Sequence, residues 1–389
     1  MFTQILNNNK KTMKKLIIFC RFIISSAVSS QNTISVSSPD GNLVVNVLVK
    51  NGKPVYSITY KGGIVLEDSP LGLITNAGDF STNMVFENSS IAKVKEDYTQ
   101  TKIKQSKVSY NANTLNCSFT NAQKQKIAIL FQVSNNNIAF RYEIPAWGDT
   151  KVCVVTEEKT GYKFPSTTTT FLSPMMQAMT GFARTAPSYE SGYEADAPLD
   201  KNKAADGYVF PGLFHLGDKA WVLLSETGVS SLYTASHLSG YKDGLYTVEY
   251  PNPKQNNGFG SSGGQIGLPG VTPWRTITVG ETLKPIVETT IPFDVVKPLY
   301  KPSQEYKMGR GSWSWIVWQD NSMNYEDQVK YIDLAAAMNF EYILIDAWWD
   351  ERIGYEKMKE LIKYAKSKNV EVFLWYNSNG AVNDAFMTP

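Results

Sequence analysis

The chain has 389 residues, 42% of them hydrophobic and 12% aromatic. That is too long for one ordinary core and too apolar for a disordered chain, so two domains are expected. Its 38 basic and 36 acidic residues leave a formal charge of +2 without long single-sign runs, which excludes the electrostatic footprint of a nucleic-acid or anionic-membrane binder and points to a neutral partner.

At the N-terminus, "MKKLIIFCRFIISSAVSSQ" begins at Met13 with two lysines, continues as an apolar run interrupted by Arg21, and reaches the small residues Ala27, Ser29 and Ser30 before Gln31. This is the layout of a secretory signal, with residues 1–12 as an upstream mis-start. Leu16 to Val28 spans 13 residues with an arginine inside, short of the roughly 20 that a bilayer span requires. Residues 1–30 are therefore read as a signal region and the protein as exported. Processing removes Cys20 and leaves Cys117 and Cys153, for which one disulfide or two unpaired buried thiols both stand open, neither with the spacing of a zinc site.

From residue 31 to 298 the period is two. "NLVVNVLVK", "KPVYSITYKG", "KIAILFQVSNN" and "NIAFRYEI" are short β-favouring runs that break at Asn, Gly or Pro, and "DG" at 40–41 and "NG" at 51–52 mark turns. "WVLLSETGV", "SLYTAS", "LYTVEY" and "WRTITVG" add further strands. The total exceeds one small sandwich and predicts a large two-sheet antiparallel β-sandwich with no helical period. The glycine-rich "NNGFGSSGGQIGLPG" at 256–270 lacks the Lys-Ser/Thr ending of a phosphate loop and precedes no helical pattern; it reads as a loop between strands.

Residues 299–307 form a linker, and a different pattern occupies 308–389. "GSWSWIVW" is an apolar strand. In "NYEDQVKYIDLAAAMNF", Tyr325, Val329, Ile332 and Ala336 share one helical face, with Asn324 as N-cap and Asp327 three residues on. The strand "YILIDAWW", the helix "YEKMKELIKYAKSKN" with Met358, Leu361, Ile362 and Ala365 on one face, and the strand "VEVFLWYNSNG" complete a βαβαβ series whose strands suit a parallel sheet.

Such a sheet carries its chemistry at the C-terminal strand ends. Those ends hold Trp313 and Trp315, then Asp346, Trp348 and Trp349, then Trp375, Tyr376, Asn377, Ser378 and Asn379, with Asp384 beyond. Aromatic faces beside Asp and Asn side chains suit a sugar, whose C–H faces pack on rings and whose hydroxyls need acceptors and donors. Asp346 directly follows "YILI", where a buried acid is costly without a partner or a function. The substrate-binding candidates are Asp346, Trp348, Trp313, Asn377, Asn379 and Asp384. Both histidines, His215 and His237, lie before residue 298, so carboxylate rather than histidine chemistry is expected in the parallel part.

The order of a signal, a large β-domain with "YESGY" and "TPWRTITVG", then "GSWSW", "YILIDAWW" and "LWYNSNGAVNDAFMTP" resembles glycoside hydrolase family 97, exported bacterial α-glycosidases. The resemblance implies an N-terminal β-supersandwich followed by a catalytic (β/α)8 TIM barrel, of which 308–389 supplies about three βα units. It also implies a periplasmic location and a retaining, α-galactosidase-type activity on an α-galactoside or α-glucoside. It further implies dependence on Ca2+, with one ligand from the sandwich at Glu190, or less readily Glu194. The nucleophile and general acid would fall on later strands, beyond Pro389, so no catalytic residue is assigned within the 389-residue chain and it is expected to be inactive by itself. The competing expectation, from another class, is a non-catalytic sugar-binding or scaffold protein that uses the sandwich alone.

Overall fold

The computed structural model describes residues 33–101, 103–175, 192–201, 207–251 and 262–376. Alternation becomes strand as the sequence predicts. In Leu43–Lys50 the inward Leu43, Val45 and Val47 are fully buried while Val44 and Asn46 face outward. The "NG" pair closes a two-residue hairpin, with Lys50 paired to Lys53; Asn51 and Gly52 both take positive φ, 50° and 73°, as the twist of a tight hairpin demands.

The larger layer is a ten-stranded sheet. Its main order runs Ala197–Pro198, Thr169–Phe171, Gly212–His215, Trp221–Thr227, Trp274–Gly280, Asn137–Ile144, Lys126–Val133, Lys107–Thr120 and Val85–Thr99, and Gly270–Val271 adds to Asn137–Ile144. The opposing layer is not one sheet, contrary to the two-sheet expectation. The remaining sandwich strands divide into a meander of Ile34–Ser37, Leu43–Lys50, Lys53–Tyr60 and Gly63–Pro70, a second sheet of Gly264–Gly267, Val152–Glu158, Leu73–Thr75 and Gly78–Asp79, and a small one of Gly161–Tyr162, Tyr246–Glu249 and His237–Leu238. The layers meet where Tyr56 packs on Phe131 and Phe140, with ring centroids 6.3 and 5.5 Å apart. Within the described part of the glycine-rich stretch, Gly264–Gly267 is strand, Gly264 pairing with Val155. A Cβ on Gly264 would lie 2.4 Å from the Tyr233 ring, so glycine is needed there for close packing rather than for phosphate.

At the centre of the sandwich, Arg275 is buried with Glu158 and Glu226. Its Nε and Nη2 donate to Glu158 at 2.9 and 2.6 Å, and its Nη1 donates to Glu226 and to Ser236 Oγ. Burial by itself would lower the guanidinium's proton affinity; the charge of Glu158, ahead of that of Glu226, overrides it and holds Arg275 charged. Cys117 and Cys153 are both buried and free, and burial pushes the Cys117 thiol up to about 12 and raises Cys153, so neither is a ready nucleophile.

Two short helices, Lys284–Glu288 and Ile291–Val295, lie within the region expected to hold none. Each is five residues long with proline in its first turn, too brief to show a period but consistent with proline's preset φ. Ile291 packs on Ala139 and Trp274 of the large sheet. The overhanging end of the Val85–Thr99/Lys107–Thr120 hairpin reaches the same segment, where Tyr98 OH donates to Asp294 Oδ1 at 2.8 Å.

The second core belongs to a parallel sheet in which Gly311–Trp313 pairs with Tyr342–Ile345 and that strand pairs with Glu371–Leu374. Helices Tyr325–Ala337 and Tyr355–Ser367 connect them and cover one face, burying Tyr331, Ile332, Ala335, Met358, Leu361 and Ala365 against Ile343 and Ile345. Asn324 caps the first helix as predicted: its Oδ1 accepts from the Asp327 amide at 2.9 Å and its Nδ2 donates to the Asp327 carboxylate at 2.8 Å. On the opposite sheet face Tyr342 and Phe373 meet at 4.7 Å, and Phe373 is exposed. The strand expected across "GSWSWIVW" ends at Trp313; Trp315–Trp318 is a helical turn and Gln319–Ser322 a 3-10 turn. Among the described residues no helix is long and apolar enough to cross a membrane.

Candidate functional site

Parallel pairing brings the ends of all three strands to one edge, because Trp313 lies opposite Leu344 and Ile345 opposite Leu374. Asp346 follows the central strand and is 6% exposed. Its Oδ2 accepts a hydrogen bond from Trp313 Nε1 at 2.7 Å, and its Oδ1 accepts from the Ala347 amide at 2.7 Å. No basic side chain among the described residues forms an ion pair with it. A carboxylate can accept about four hydrogen bonds, so a nearly buried one held by two neutral donors retains acceptor capacity for a ligand.

The first loop gives this acid an aromatic wall. Trp313 and Trp315 stack with ring centroids 5.7 Å apart and planes at 18°. Trp315 Nε1 donates to Asp320 Oδ1 at 3.0 Å, so each of the stacked indoles is oriented by its own carboxylate. Trp348 begins the second loop in the left-handed conformation, φ 73°, which a bulky side chain adopts only where its surroundings impose it. The Arg352 guanidinium lies 5.6 Å over the Trp348 ring and also donates to the Asp320 carbonyl, tying the second loop to the first. Trp375 continues the edge strand, its amide donating to Ile345 O at 3.0 Å, and its side chain is exposed together with that of Tyr376.

Away from this edge the acids have structural partners. Lys330, and after it Asn324, lower the pKa of Asp327 at the helix start. The Arg310 amide lowers that of Glu341 at the opposite end of the sheet.

Of the predicted substrate-binding residues, Asp346 and Trp313 are in contact, and Trp348 stands two residues beyond Asp346 with Arg352 over its ring. Asn377, Asn379 and Asp384 lie outside the described residues, as does Glu190. The described residues end at Tyr376, so Pro389 is also outside them. Glu194 is exposed on the sandwich and pairs with Lys201, and among the described residues no three His, Cys, Asp or Glu side chains converge as a metal centre. Sequence reading did not single out Asp320. The spacing Trp-x-Trp-x4-Asp was the available signal, hidden by extending the strand too far. It also missed Gln328, a polar residue within an apolar helical face and fully buried.

The family model of the glycosyl-hydrolase 97 N-terminal domain matches residues 36–298. The chain belongs to glycoside hydrolase family 97. It is 26% identical over 399 aligned residues to a retaining alpha-galactosidase of Bacteroides thetaiotaomicron, covering 93% of this chain and 58% of that protein. Among solved structures, a beta-arabinopyranosidase is 52% identical with a TM-score of 0.86, over 92% of this chain and 57% of that one. A family 97 enzyme of Pseudoalteromonas sp. strain K8 in complex with acarbose is 21% identical with a TM-score of 0.72, over 87% of this chain and 53% of that one; at that identity it attests the fold alone. This family 97 chain therefore spans just over half the length of these relatives.

Proposed function

We propose that the chain supplies the sandwich and the first part of the sugar-binding face of an exported, periplasmic glycosidase, and that its substrates are pyranosides of the α-galactoside configuration, β-L-arabinopyranosides among them. The observation that carries this reading is Asp346: almost buried, without an ion-pair partner among the described residues, oriented by the Trp313 indole and set at the carboxyl end of a parallel sheet. Ligand chemistry gathers at that edge in α/β folds. The choice of sugar draws on the relatives. β-L-Arabinopyranose has the ring configuration of α-D-galactopyranose without the C6 hydroxymethyl group, so a site for one needs few changes to take the other.

In this reading the parallel sheet opens a (β/α)8 barrel, helices outside and the Tyr342–Phe373 face inside. Asp346 accepts two neighbouring hydroxyls of the sugar, and the indoles pack on its C–H face. The course is retaining, which requires two carboxyl groups about 5 to 5.5 Å apart across the scissile bond. Asp346 orients the substrate, and residues outside those described supply the hydrolytic pair. Ca2+ would be held partly by Glu190 and would supply a hard, oxygen-seeking charge beside the sugar; Glu194, paired with Lys201, is the weaker candidate.

The test is calorimetric titration of the chain with L-arabinose, D-galactose and D-glucose in the presence of Ca2+, beside assays with the matching p-nitrophenyl glycosides. L-Arabinose and D-galactose should bind more tightly than D-glucose, and no p-nitrophenol should be released by the chain alone. Tighter D-glucose binding, or binding unaffected by Asp346→Ala, would overturn the assignment.

A further inference from the structure

We infer that Gln328 is a positioning residue for the sugar-binding edge, acting through a one-way chain of hydrogen bonds that ends on a strained residue of the first loop. The sugar-binding part of this inference rests on the function proposed above.

The direction of the chain follows from what each group can donate. Gln328 Nε2 lies 2.7 Å from the Ser322 carbonyl and 3.0 Å from Ser314 Oγ. A carbonyl can only accept, so the amide nitrogen must face Ser322 and the flipped orientation is excluded. Ser322 Oγ donates to the Gln319 carbonyl at 2.8 Å, which uses its one hydrogen. The 2.8 Å contact between Ser314 Oγ and Ser322 Oγ must therefore run from Ser314 to Ser322. The order is Gln328 to Ser314 to Ser322 to Gln319, and every hydroxyl hydrogen is assigned.

Ser314, Ser322 and Gln328 are each buried to 0% exposure. Gln328 Oε1, by contrast, has no hydrogen-bond partner among the described residues. An isosteric methionine would remove the unmade Oε1, the Ser322 carbonyl would keep the Asn324 amide as a donor, and Ser314 Oγ would still donate to Ser322, so packing alone does not call for the amide. Its service is to the loop. Gln319, at the end of the chain, has φ 52° and ψ −152°, a region L residues avoid and which persists only where neighbouring contacts over-determine it.

The residues flanking these anchors carry the site. Trp313 precedes Ser314 and donates to Asp346; Asp320 follows Gln319 and accepts from Trp315; and the two indoles stack on one another. Cutting the chain lets Gln319 relax to a favoured conformation, which swings Asp320 and Trp315 and loosens the Trp313–Asp346 bond. The sequence shows this linkage only as two serines and a glutamine inside otherwise apolar patterns.

The experiment reads indole N–H resonances of the 15N-tryptophan-labelled chain, which has nine tryptophans, with Trp313 assigned through Trp313→Phe. Gln328→Met should keep the thermal unfolding midpoint of the parent while moving the Trp313 resonance away from its carboxylate-bonded position. Its L-arabinose affinity should fall about tenfold, corresponding to 1.4 kcal/mol. Ser322→Ala, which cuts the chain one link on without adding bulk, should move the same resonance. A folded Gln328→Met protein with an unmoved Trp313 indole overturns the inference. Should that variant fail to fold, an unmoved indole in Ser322→Ala overturns it equally. If instead Trp313→Phe leaves L-arabinose affinity unchanged, the sugar-site reading fails while the indole shifts still decide the positioning role.

Discussion

Two of the nearly buried carboxylate centres among the described residues, Glu158 with Glu226, and Asp346, are built in opposite ways. In the sandwich, Glu158 and Glu226 share the Arg275 guanidinium, and Tyr250 and Ser236 add hydroxyl donors. That centre answers its charges internally. At the parallel sheet's edge, Asp346 has two neutral donors and, among the described residues, no ion-pair partner. Desolvating charge is expensive, so a carboxylate left short of partners at the carboxyl end of a parallel sheet keeps acceptor capacity for a ligand.

The largest effect should come from breaking the sandwich centre. Arg275→Met leaves two carboxylates facing each other without a cation, and loss of one partner from a buried pair costs about 3–5 kcal/mol. Urea denaturation should show that loss directly, and much of the protein should be insoluble on expression. A near-normal midpoint would mean that the centre is far wetter than its burial indicates.

Asp346→Ala should do the reverse. Removing an uncompensated acid should leave the urea midpoint unchanged or raised, while in an active family 97 enzyme carrying the equivalent change kcat/KM should fall by roughly two orders of magnitude, a loss of about 2.7 kcal/mol in transition-state binding. An activity loss below threefold would place Asp346 with the scaffold and dissolve the contrast.

Glu190→Gln sharpens the comparison at a point where the two regions would share an ion. It should weaken Ca2+ binding in calorimetric titration and leave the fold intact, since a neutral amide lacks the charge a hard divalent cation selects. Unchanged affinity would move the role to Glu194 or remove calcium from the sandwich.

The smallest effect concerns Asp294, under the overhanging hairpin. Burial raises its pKa against the opposing hydrogen bonds from Tyr98 and Thr290. The folded state therefore binds the proton more readily than the unfolded state. Its stabilising share is fully present below the unfolded carboxylate value and is lost as pH rises through the raised folded value. Protection of the Tyr98 amide from hydrogen exchange should increase as pH is lowered from neutral into the mildly acidic range, after correction for intrinsic exchange. Asp294→Asn should remove that dependence, and a protection that weakens on acidification in the parent would reverse the assignment.

Much of this was legible in the sequence because the strands and long helices bury one face at a fixed period. The cap at Asn324, the helix faces and Asp346 after "YILI" could all be read from local pattern. What escaped was non-local or too short. The division of the opposing layer depends on which strands meet, and the helices Lys284–Glu288 and Ile291–Val295 are shorter than a period can reveal. The strand through "GSWSWIVW" was overextended because its apolar run continues past Trp313. What stops it is the bonding of Ser314 to Ser322 and Gln328, residues 8 and 14 positions away. Asp320 escaped notice for the same reason. Asn377, Asn379, Asp384 and Glu190 lie outside the described residues, and their expected roles, like that of a catalytic pair beyond Pro389, stay with the proposal.

The most direct test of the central claim, that Asp346 is a sugar acceptor rather than a scaffold acid, is a crystal structure of the chain soaked with L-arabinose. The account predicts a pyranose with two adjacent hydroxyls on the Asp346 carboxylate and its C–H face toward the Trp313 or Trp348 indole. A sugar bound only on the sandwich, or an Asp346 whose remaining acceptor sites are filled by a protein cation, would contradict it.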